Sequence, residues 1–591
     1  MDGRYPKWME LGRTLRVTPR ERLSTDAQGR TSGAFYTDIE LTLTAYDDVR
    51  EGWCDFQAED MTGNGYFVRQ YRHEPLLPHD DPIPPYLRAR INLPFGESRR
   101  GGAFFLVWRR IDATSVEELL ANAPSPLPLD RLIIILAPVV RLLEALHEHG
   151  FAAGCLLPRR VMIAPSLETS LHLVETPHQL GAPLVPWGET PGSIHPRAFS
   201  AFPGAHDMDS EIYSLASFAW NLLAGGLPPA SAATNFRHAV ALRGFRPDLP
   251  PGIAPLIEAG LTTRPTLHYP TPRVLLDTLT DAIQNVQRLR PHSVRGLSVA
   301  AETHIGIQKR HVMPVNQDAI LAASSGGDMA LLLVSDGVST ADYGSGDIAS
   351  EFIRAEAFRA WRQIDDADLE TTAQRVTWLR QILERANKGI VDYINDQFSP
   401  FRGDPSRVMA ATAVIALVSF GRLTLLSTGD SPAFLVRDGQ IERLNRDMNV
   451  LTMSLVAGVD LDEVLESGWP DALASCVGSF HVDETGHLQP ARVEADALEF
   501  TLAPDDRLVL CSDGLTDYIA DNPAAGAEII RRVVAYDTPS AIAALELILL
   551  GNRGGGGDNV SVALCYVSDE ESPIIVAAED IEHVRRVPHN E

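Results

Sequence analysis

In the second half of this 591-residue chain, aspartates repeatedly follow apolar runs. The segment MALLLVSDG places Asp336 directly after such a run, and RLVLCSDG does the same for Asp513. A short, fully apolar run bounded by turn residues is typical of a buried strand, so these carboxylates are predicted to project from the rim of a sheet. Further aspartates occupy predicted strand ends in NQD, STGDS and GGGGDN, at Asp318, Asp430 and Asp558.

An Asp-Gly pair alone is weak evidence for a functional site, because it also forms a common tight hairpin turn. That simpler interpretation holds for Asp438-Gly439, which joins two alternating segments. Asp336 and Asp513 differ because each follows a fully apolar strand. Four carboxylates brought together would repel one another unless cations lay between them, and oxygen ligands of this kind hold hard divalent ions. The pattern therefore favours a metal site.

The rest of the second half indicates a β-sandwich covered by helices. Runs such as TAVIALVSF and NVSVALCYV predict strands, and SGDIASEFIRAEAFRAWRQI predicts a helix. The basic, Pro-containing stretch 284–296 precedes this half and indicates a domain boundary. After residue 568 the tail is acidic and poorly periodic, which is typical of a loosely held appendage.

The first half begins with alternating segments and then becomes helical. ELTLTAY, YFVRQYR and AFFLVWR have the alternation of strands, whereas DRLIIILAPVVRLLEALHEHG and SEIYSLASFAWNLLAGG have helical periodicity. This order predicts a small sheet-rich lobe followed by a larger helical lobe.

Charge and cysteine content limit which binding partners and which cellular compartment are expected. The chain has 51 Lys and Arg against 78 Asp and Glu, a net charge of −27, so neither nucleic acid nor an anionic membrane surface is expected as a partner. The most apolar stretch, 132–146, is broken by Pro138 and Arg141, so no membrane insertion is expected. Five widely separated cysteines give neither a disulfide framework nor a zinc motif, which favours a cytoplasmic protein.

The order NQDA, VSDGV, TAV, STGDSPAFLVRDG, CSDGLTD and GDNVSV resembles the metal-dependent protein phosphatases, the type 2C serine/threonine phosphatases, over roughly 296–567. The resemblance implies an α-β-β-α sandwich and two Mn²⁺ or Mg²⁺ ions. It implies that Asp336 bridges both ions and that the carbonyl of Gly337 binds one of them. It also implies that Asp513 and Asp558 hold the other ion, with Asp318 supporting the site. The implied reaction is hydrolysis of phosphoserine and phosphothreonine by a metal-bridged hydroxide.

Several positions depart from the family pattern. Gln317 stands where Glu is common, and Pro432 replaces the Arg of Gly-Asp-Ser-Arg. The stretch that matches the ligand for a third ion reads RVMAAT (407–412) and holds no Asp, so a third ion is not implied. For the phosphate-binding Arg, Arg310 is the first candidate and Lys309 the second, and a solvated basic patch is an equal alternative for both.

The first half resembles a eukaryotic-type protein kinase over roughly 40–285. LHEHGFAAGCLLPRRVMI (146–163) is similar to the catalytic-loop segment, and SEIYSLASFAWNLLAGGLPP (210–229) is similar to the helix that follows it. FQAEDMTGNGYFVRQYR (56–72) would be a hairpin of the first lobe, and SIHPRA (193–198) would match the Ala-Pro-Glu region.

The residues that carry kinase chemistry are replaced. Cys155 stands at the position of the catalytic Asp, Leu157 at that of the following Lys, and Arg160 at that of the metal-binding Asn. Glu-Thr-Pro at 175–177 replaces Asp-Phe-Gly, and Arg69 replaces the nucleotide-pairing Lys. A kinase needs a base and a pair of metal ligands that these residues do not provide, so the resemblance implies a pseudokinase.

Together these features predict an α+β chain with an N-terminal bilobal protein-kinase-like fold and a C-terminal α-β-β-α phosphatase sandwich. The predicted function is a metal-dependent serine/threonine protein phosphatase with an N-terminal pseudokinase for regulation or docking. Its expected partners are phosphoprotein substrates and a cognate Ser/Thr kinase system. A catalytically weak scaffold and a small-molecule phosphomonoesterase remain open alternatives. The predicted limits are 1–40 for an N-terminal extension, 41–285 for the kinase-like domain, 286–296 for a linker, 297–567 for the phosphatase domain and 568–591 for an acidic tail.

Overall fold

The computed structural model places most of the chain and divides it into two compact units. By contacts, the first unit contains Met1–Ala233 and Leu256–Ile283, and the second contains Thr234–Pro255 and Gln284–Glu591. The residues described are 9–19, 24–25, 31–32, 38–49, 53–71, 91, 96–110, 113–122, 127–163, 171–173, 178–181, 205–228, 241–262, 269–289, 296–325, 328–365, 369–459, 461–535 and 538–568.

Short antiparallel strands dominate the start of the first unit. They are β1 Thr14–Pro19, β2 Ser24–Thr25, β3 Thr31–Ser32, β4 Ile39–Val49, β5 Trp53–Asp60, β6 Gly65–Tyr71, β7 Gly96–Arg100, β8 Ala103–Arg109, β9 Thr114–Ser115, β10 Phe151–Ala152, β11 Val161–Ile163, β12 Leu171–Leu173 and β13 His178–Gln179. Six of them close into a barrel in the order β1-β4-β5-β6-β8-β7. Buried and exposed residues alternate along β1. The buried Leu15 and Val17 pack with Leu41, Phe56 and Phe105 inside the barrel.

The described residues of the first unit form this barrel and the helices that follow it, and they do not show the predicted bilobal protein-kinase-like fold. Residues 14–19, which were assigned to an extension at 1–40, are a barrel strand. The physical reason is that β1 pairs with β4 on one side and β7 on the other, which closes the sheet. The hairpin predicted within 56–72 is present as β5 and β6.

Helices follow the barrel in sequence. Ser115 caps the first of them through a capping box with Glu118, and Asp207 caps another with Ser210. Among the helices described, none is both long enough and apolar enough to cross a bilayer. Up to residue 289 the helices are α1 Val116–Ala121, α2 Leu129–His147, α3 Met208–Ala224, α4 Leu242–Phe245, α5 Ala254–Gly260 and α6 Pro272–Arg288.

The second unit is built on two five-stranded antiparallel sheets. Its strands are β14 Gly296–His304, β15 Ala319–Ser324, β16 Ala330–Ser335, β17 Ala413–Ser419, β18 Arg422–Thr428, β19 Ala433–Arg437, β20 Gln440–Arg443, β21 Phe480–Val482, β22 Leu488–Pro490, β23 Asp496–Thr501, β24 Arg507–Cys511 and β25 Val560–Ser568. One sheet has the order β14-β25-β24-β19-β20 and the other β15-β16-β17-β18-β23.

Three apolar layers explain why the central strands lack alternation. Leu332 and Val414 of one sheet pack with Leu510 of the other between the sheets. On the outer faces, Leu333 packs with helix residues such as Trp361, and a second cluster covers the opposite sheet. Strands buried on both faces need apolar residues at every position. The predicted α-β-β-α sandwich is confirmed. Its helices are α7 Gly346–Arg362, α8 Thr372–Phe398, α9 Val450–Val456, α10 Leu461–Glu466, α11 Asp513–Ile519, α12 Pro523–Ala535 and α13 Ser540–Arg553.

The division by contacts differs from the predicted limits at one internal segment. Residues 234–255 group with the second unit, although they were assigned to the kinase-like domain at 41–285. The acidic tail after residue 568 lies outside the described residues, and the predicted domain limits otherwise stay predictions.

Candidate active site

The predicted metal-binding aspartates lie at the ends of strands from both sheets. Asp336 directly follows β16, and Asp318 directly precedes β15 of the same sheet. In the other sheet, Asp513 begins the helix after β24, and Asp558 lies two residues before β25. Asp336, Asp513 and Asp318 lie close enough together for their charges to affect one another's pKa, and the charge of Asp558 raises the pKa of Asp318. The structure therefore brings the four aspartates together.

Asp336 is fixed by Thr412, the residue that directly precedes β17. Its backbone N–H donates to Thr412 Oγ1 at 3.0 Å, and Thr412 N donates to the Asp336 carbonyl at 2.8 Å. The next residue, Gly337, packs closely against the backbone of Gly346, because a Cβ atom at position 337 would lie 2.2 Å from the Gly346 carbonyl oxygen. Only glycine fits this position without a clash, so the carbonyl group predicted to bind an ion belongs to a closely packed stretch of backbone.

Asp318 is held by hydroxyl groups from the opposite sheet. Ser512 Oγ donates to Asp318 Oδ2 at 2.8 Å, and Ser561 adds a second hydrogen bond. Asn559 accepts from Gln317 N at 3.0 Å and donates to the Ile305 carbonyl at 2.9 Å. These contacts join the two sheets where the carboxylates meet.

Lys309 supplies a cation beside the carboxylates. Its buried ammonium group donates hydrogen bonds to Asp558 and, at 3.0 Å, to Ser339 Oγ. The turn that carries Lys309 is tied to the loop before β25, because the N–H groups of Gln308 and Lys309 both donate to the Gly556 carbonyl, at 2.9 and 3.1 Å. The backbone thus holds Lys309 in place while its side chain reaches the acidic cluster.

Arg310, the predicted phosphate-binding residue, lies on the exposed side of the same turn. Its role stays a prediction, but Lys309 is the basic side chain that the structure brings to the carboxylates. The sequence ranked Arg310 before Lys309 and had no local basis for the order, because the rotation of a single turn decides which side chain points inward.

Burial and mutual repulsion raise the pKa values of Asp318, Asp336 and Asp513. Burial is the main cause for Asp318, whose pKa rises to about 6, while hydrogen bonds from Ser512 and Ser561 oppose the rise. Burial also raises the pKa of Asp336 well above its usual range, and the charges of Asp318 and Asp513 add to the effect. The cluster therefore disfavours its own ionised form, and added positive charge would relieve this cost.

The donor set fits hard divalent cations. Two buried oxygens, Asp318 Oδ1 and Asp513 Oδ1, have no hydrogen-bond partner among the described residues, which is costly unless something else binds them. All side-chain donors here are carboxylate, amide or hydroxyl oxygens, the ligands of Mg²⁺ and Mn²⁺. In the part of the chain described, no group of three or more His, Cys, Asp or Glu side chains already stands in an arrangement that would hold an ion.

Comparisons with known proteins find phosphatases similar to the C-terminal half of the chain. Residues 305–549 match the family model described as protein phosphatase 2C. The C-terminal half of the chain is a protein phosphatase 2C domain. A protein phosphatase 2C-type protein of Streptococcus pyogenes is 28% identical over 276 residues, which cover 46% of this chain and 99% of that protein. The serine/threonine phosphatase stp of Listeria monocytogenes is 26% identical over 240 residues, which cover 40% of this chain and 83% of that protein.

Solved structures of phosphatases are similar over the same share of the chain. The Mycobacterium tuberculosis serine/threonine phosphatase PstP/Ppp is 25% identical with a TM-score of 0.35, covering 46% of this chain and 99% of that one. The catalytic domain of PstP in complex with two manganese ions is 26% identical with a TM-score of 0.34, covering 46% and 99%. The predicted enzyme class, a serine/threonine protein phosphatase, is confirmed by the family match and the named relatives. They give no support to the predicted pseudokinase.

The phosphatase domain contains a fifth clustered aspartate that the sequence noted only as a motif. Burial raises the pKa of Asp430 in STGDS, and the charge of Asp513 adds to the rise. The signal for including Asp430 was the same strand-end placement that identified the other four. Cys511, by contrast, is a buried strand residue whose pKa is raised by burial, so it cannot serve as a thiolate nucleophile.

In the first unit, the residues aligned with kinase catalytic positions are sequestered. Cys155 and Arg160 are buried, and Arg69 forms a two-pronged ion pair with Asp55 at 2.7 and 2.9 Å. Glu211 accepts hydrogen bonds from the N–H groups of Ala153 and Gly154 at 3.0 and 2.8 Å, and pairs with His147 at 3.1 Å. The positions predicted to replace Asp-Phe-Gly and Ala-Pro-Glu, 175–177 and 193–198, lie outside the described residues.

Proposed function

We propose that the phosphatase domain hydrolyses phosphoserine and phosphothreonine in proteins with the help of two divalent ions, Mn²⁺ or Mg²⁺. The observation that carries the proposal is the meeting of four buried or half-buried aspartates from two sheets. The pKa values of Asp318, Asp336 and Asp513 are raised, and two of the carboxylate oxygens have no hydrogen-bond partner among the described residues. In this proposal Asp336, the Gly337 carbonyl, Asp513 and Asp558 hold the ions, and Asp318 supports them.

The chain's own residues position the reaction. When bound, the ions would make a water acidic enough to act as a nucleophile and would offset phosphoryl charge. In this proposal the ammonium group of Lys309 exchanges its contact with Asp558 for a phosphate oxygen of the substrate. The sequence analysis had assigned phosphate binding first to Arg310. Ser339 links Lys309 to Gln317 Oε1, at 3.0 and 2.7 Å, and orients both side chains. No side-chain nucleophile is required.

The test is hydrolysis of a phosphothreonine peptide by the full chain, with and without Mn²⁺. Asp336→Asn should lower kcat by at least about 10²-fold at saturating Mn²⁺. The matched control is Asp438→Asn, because Asp438 is an exposed aspartate in the β19–β20 turn and should not matter. Metal-independent activity, or equal losses in the two variants, would contradict the proposed site. A preference for small phosphomonoesters over phosphopeptides would favour the small-molecule alternative, and no turnover at all would favour the scaffold.

We also propose that the first unit is a catalytically inactive kinase-like module for regulation or docking, working in the cytoplasm beside a cognate Ser/Thr kinase system. The sequence resemblance supports this, as do the buried Cys155 and Arg160 at positions where a kinase needs a base and a metal ligand. None of the five cysteines, all of which lie within the described residues, forms a disulfide bond, which supports a reducing compartment. Full-length Asp336→Asn incubated with labelled ATP should incorporate no phosphate. Labelling that is lost on Cys155→Ala would overturn this assignment.

A further inference from the structure

Residues 241–253, which we call the strap, pack against strand β20 and helix α9 of the second unit. Arg243 Nη2 donates to Glu442 Oε1 at 2.5 Å, and Gly252 N donates to Glu442 Oε2 at 2.6 Å. Arg243 is buried, and the side chain of Glu442 is 13% exposed. Both oxygens of this shielded carboxylate are therefore bound by the strap.

A hydrogen bond from an arginine and an apolar contact also secure the strap. Arg446 Nη1 donates to the Gly244 carbonyl at 2.8 Å, while the same guanidinium holds Asp496 of β23 at 2.6 Å. Phe245 packs against the small apolar cluster that contains Leu451 and Leu455 of α9. Polar and apolar contacts thus join the strap to Arg446 and to the helix that follows it.

The strap has its own internal structure. Arg243 Nη1 donates to the Leu249 carbonyl at 2.7 Å, which draws the two ends of the strap together around one buried guanidinium. Gly244 N donates to the Ala241 carbonyl at 2.8 Å and Arg246 N to the Leu242 carbonyl at 2.9 Å. A segment ordered in this way can fix the position of what it binds.

The elements held by the strap in turn hold the turn that carries Asp430. Arg443, next to Glu442, donates to the Asp430 carbonyl at 3.1 Å. Asn445 Nδ2 donates to the Ser431 carbonyl at 2.9 Å, and Asn445 Oδ1 accepts from Ala433 N at 2.8 Å. Residues 443–448 therefore lie between the strap and the acidic cluster, with contacts on both sides.

We infer that the strap is a positioning element for the phosphatase site, acting through residues 443–448 on the turn at Asp430. The inference rests on the proposed function of the acidic cluster. In sequence the strap is flanked by residues of the first unit, up to 233 and from 256, so it is one of the covalent connections through which that unit could act on the phosphatase site. Regulation by the first unit then requires no direct contact with the catalytic aspartates.

The experiment compares full-length wild type with Arg243→Gln, Glu442→Gln and the double variant. The control is Arg273→Gln, which removes an Arg–Glu pair with Glu144 in the first unit. Hydrolysis of p-nitrophenyl phosphate at saturating Mn²⁺ gives kcat and KM, and hydrogen–deuterium exchange reports on residues 429–448. Because small displacements of catalytic groups are costly, each single variant should lose about tenfold in kcat with little change in KM. The loss of kcat in the double variant should be no greater than in either single variant, because each single substitution already removes the interaction between the two side chains.

Exchange should become faster at 429–448 in both single variants and stay unchanged in Arg273→Gln. Unchanged exchange at 429–448 together with a kcat within about twofold of wild type would overturn the inference. Faster exchange across the whole second unit would also overturn it, since the strap would then serve general stability only. If wild type itself lacks phosphatase activity, the proposed function fails, whereas the exchange measurements still decide whether the strap positions 429–448.

Discussion

Replacing Lys309 by Met tests whether the cation beside the carboxylates takes part in catalysis. Methionine keeps the length and apolar stem of the side chain but removes the ammonium group that contacts Asp558 and Ser339. The matched control is Arg310→Met, which removes a positive charge from the exposed side of the same turn.

Two magnitudes follow from the contacts. Loss of one preorganised charge that stabilises a phosphoryl oxygen should lower kcat by about 10²-fold. Without metal, removing the partner of Asp558 should cost about 1 kcal/mol of unfolding free energy, a low value because the Asp558 side chain is 38% exposed. Lys309 also lowers the pKa values of Asp318 and Asp513, so these pKa values should rise further in the variant.

The assay measures kcat on p-nitrophenyl phosphate at saturating Mn²⁺, together with urea unfolding in the presence and absence of metal. The expected pattern is a large kcat loss for Lys309→Met and wild-type behaviour for Arg310→Met. The opposite ranking would show that Arg310 is the phosphate-binding residue after all. Equal, small effects in both variants would refute any catalytic part for this turn.

Three further predictions concern the acidic cluster and the first unit. Asp336→Asn should lower kcat more than Asp318→Asn at saturating Mn²⁺, since the proposed site has Asp336 touching both ions; equal, mild losses would refute this assignment. Because the pKa of Asp318 is raised to about 6, the native state binds more protons than the unfolded state between about pH 4 and 6, so stability without metal should fall as pH rises through that window. Mn²⁺ should therefore raise Tm more at about pH 7.5 than at about pH 5, and an equal rise at both values would contradict the shift. Glu211→Gln should cost about 1–3 kcal/mol of unfolding free energy, because it disturbs a buried acceptor of two backbone N–H groups, whereas the exposed Glu117→Gln should cost almost nothing in the same urea titration.

The sequence predicted the phosphatase sandwich and its acidic rim well, for a local reason. Strands buried on both faces appear as uninterrupted apolar runs, and the residue after such a run must leave the sheet at its edge. Asp336 and Asp513 obey this rule, so their meeting could be expected before the two sheets were seen. Lys309 and Arg310 mark the limit of the rule, because adjacent residues of one turn differ only in the direction of their side chains.

The remaining features depend on pairings that are distant in sequence. The barrel closes because β1 pairs with both β4 and β7. The sequence of residues 14–19 does not indicate which strands pair with it. The contact between Arg243 and Glu442 joins residues 199 positions apart. An arginine in a short helical turn carries no local sign of so distant a partner, so the sequence placed the strap within the kinase-like domain, whereas by contacts it groups with the second unit.

The strap makes the phosphatase domain discontinuous in the gene. A fragment that begins at residue 296 would contain every predicted metal ligand but would leave Glu442 without the guanidinium and backbone N–H that bind it. It would also uncover the apolar cluster at Leu451 and Leu455 that Phe245 covers. Recombination could therefore not exchange the N-terminal half for another module without also removing part of the enzyme. The two halves are expected to be inherited together, and a cut made by sequence similarity alone would separate residues that fold as one.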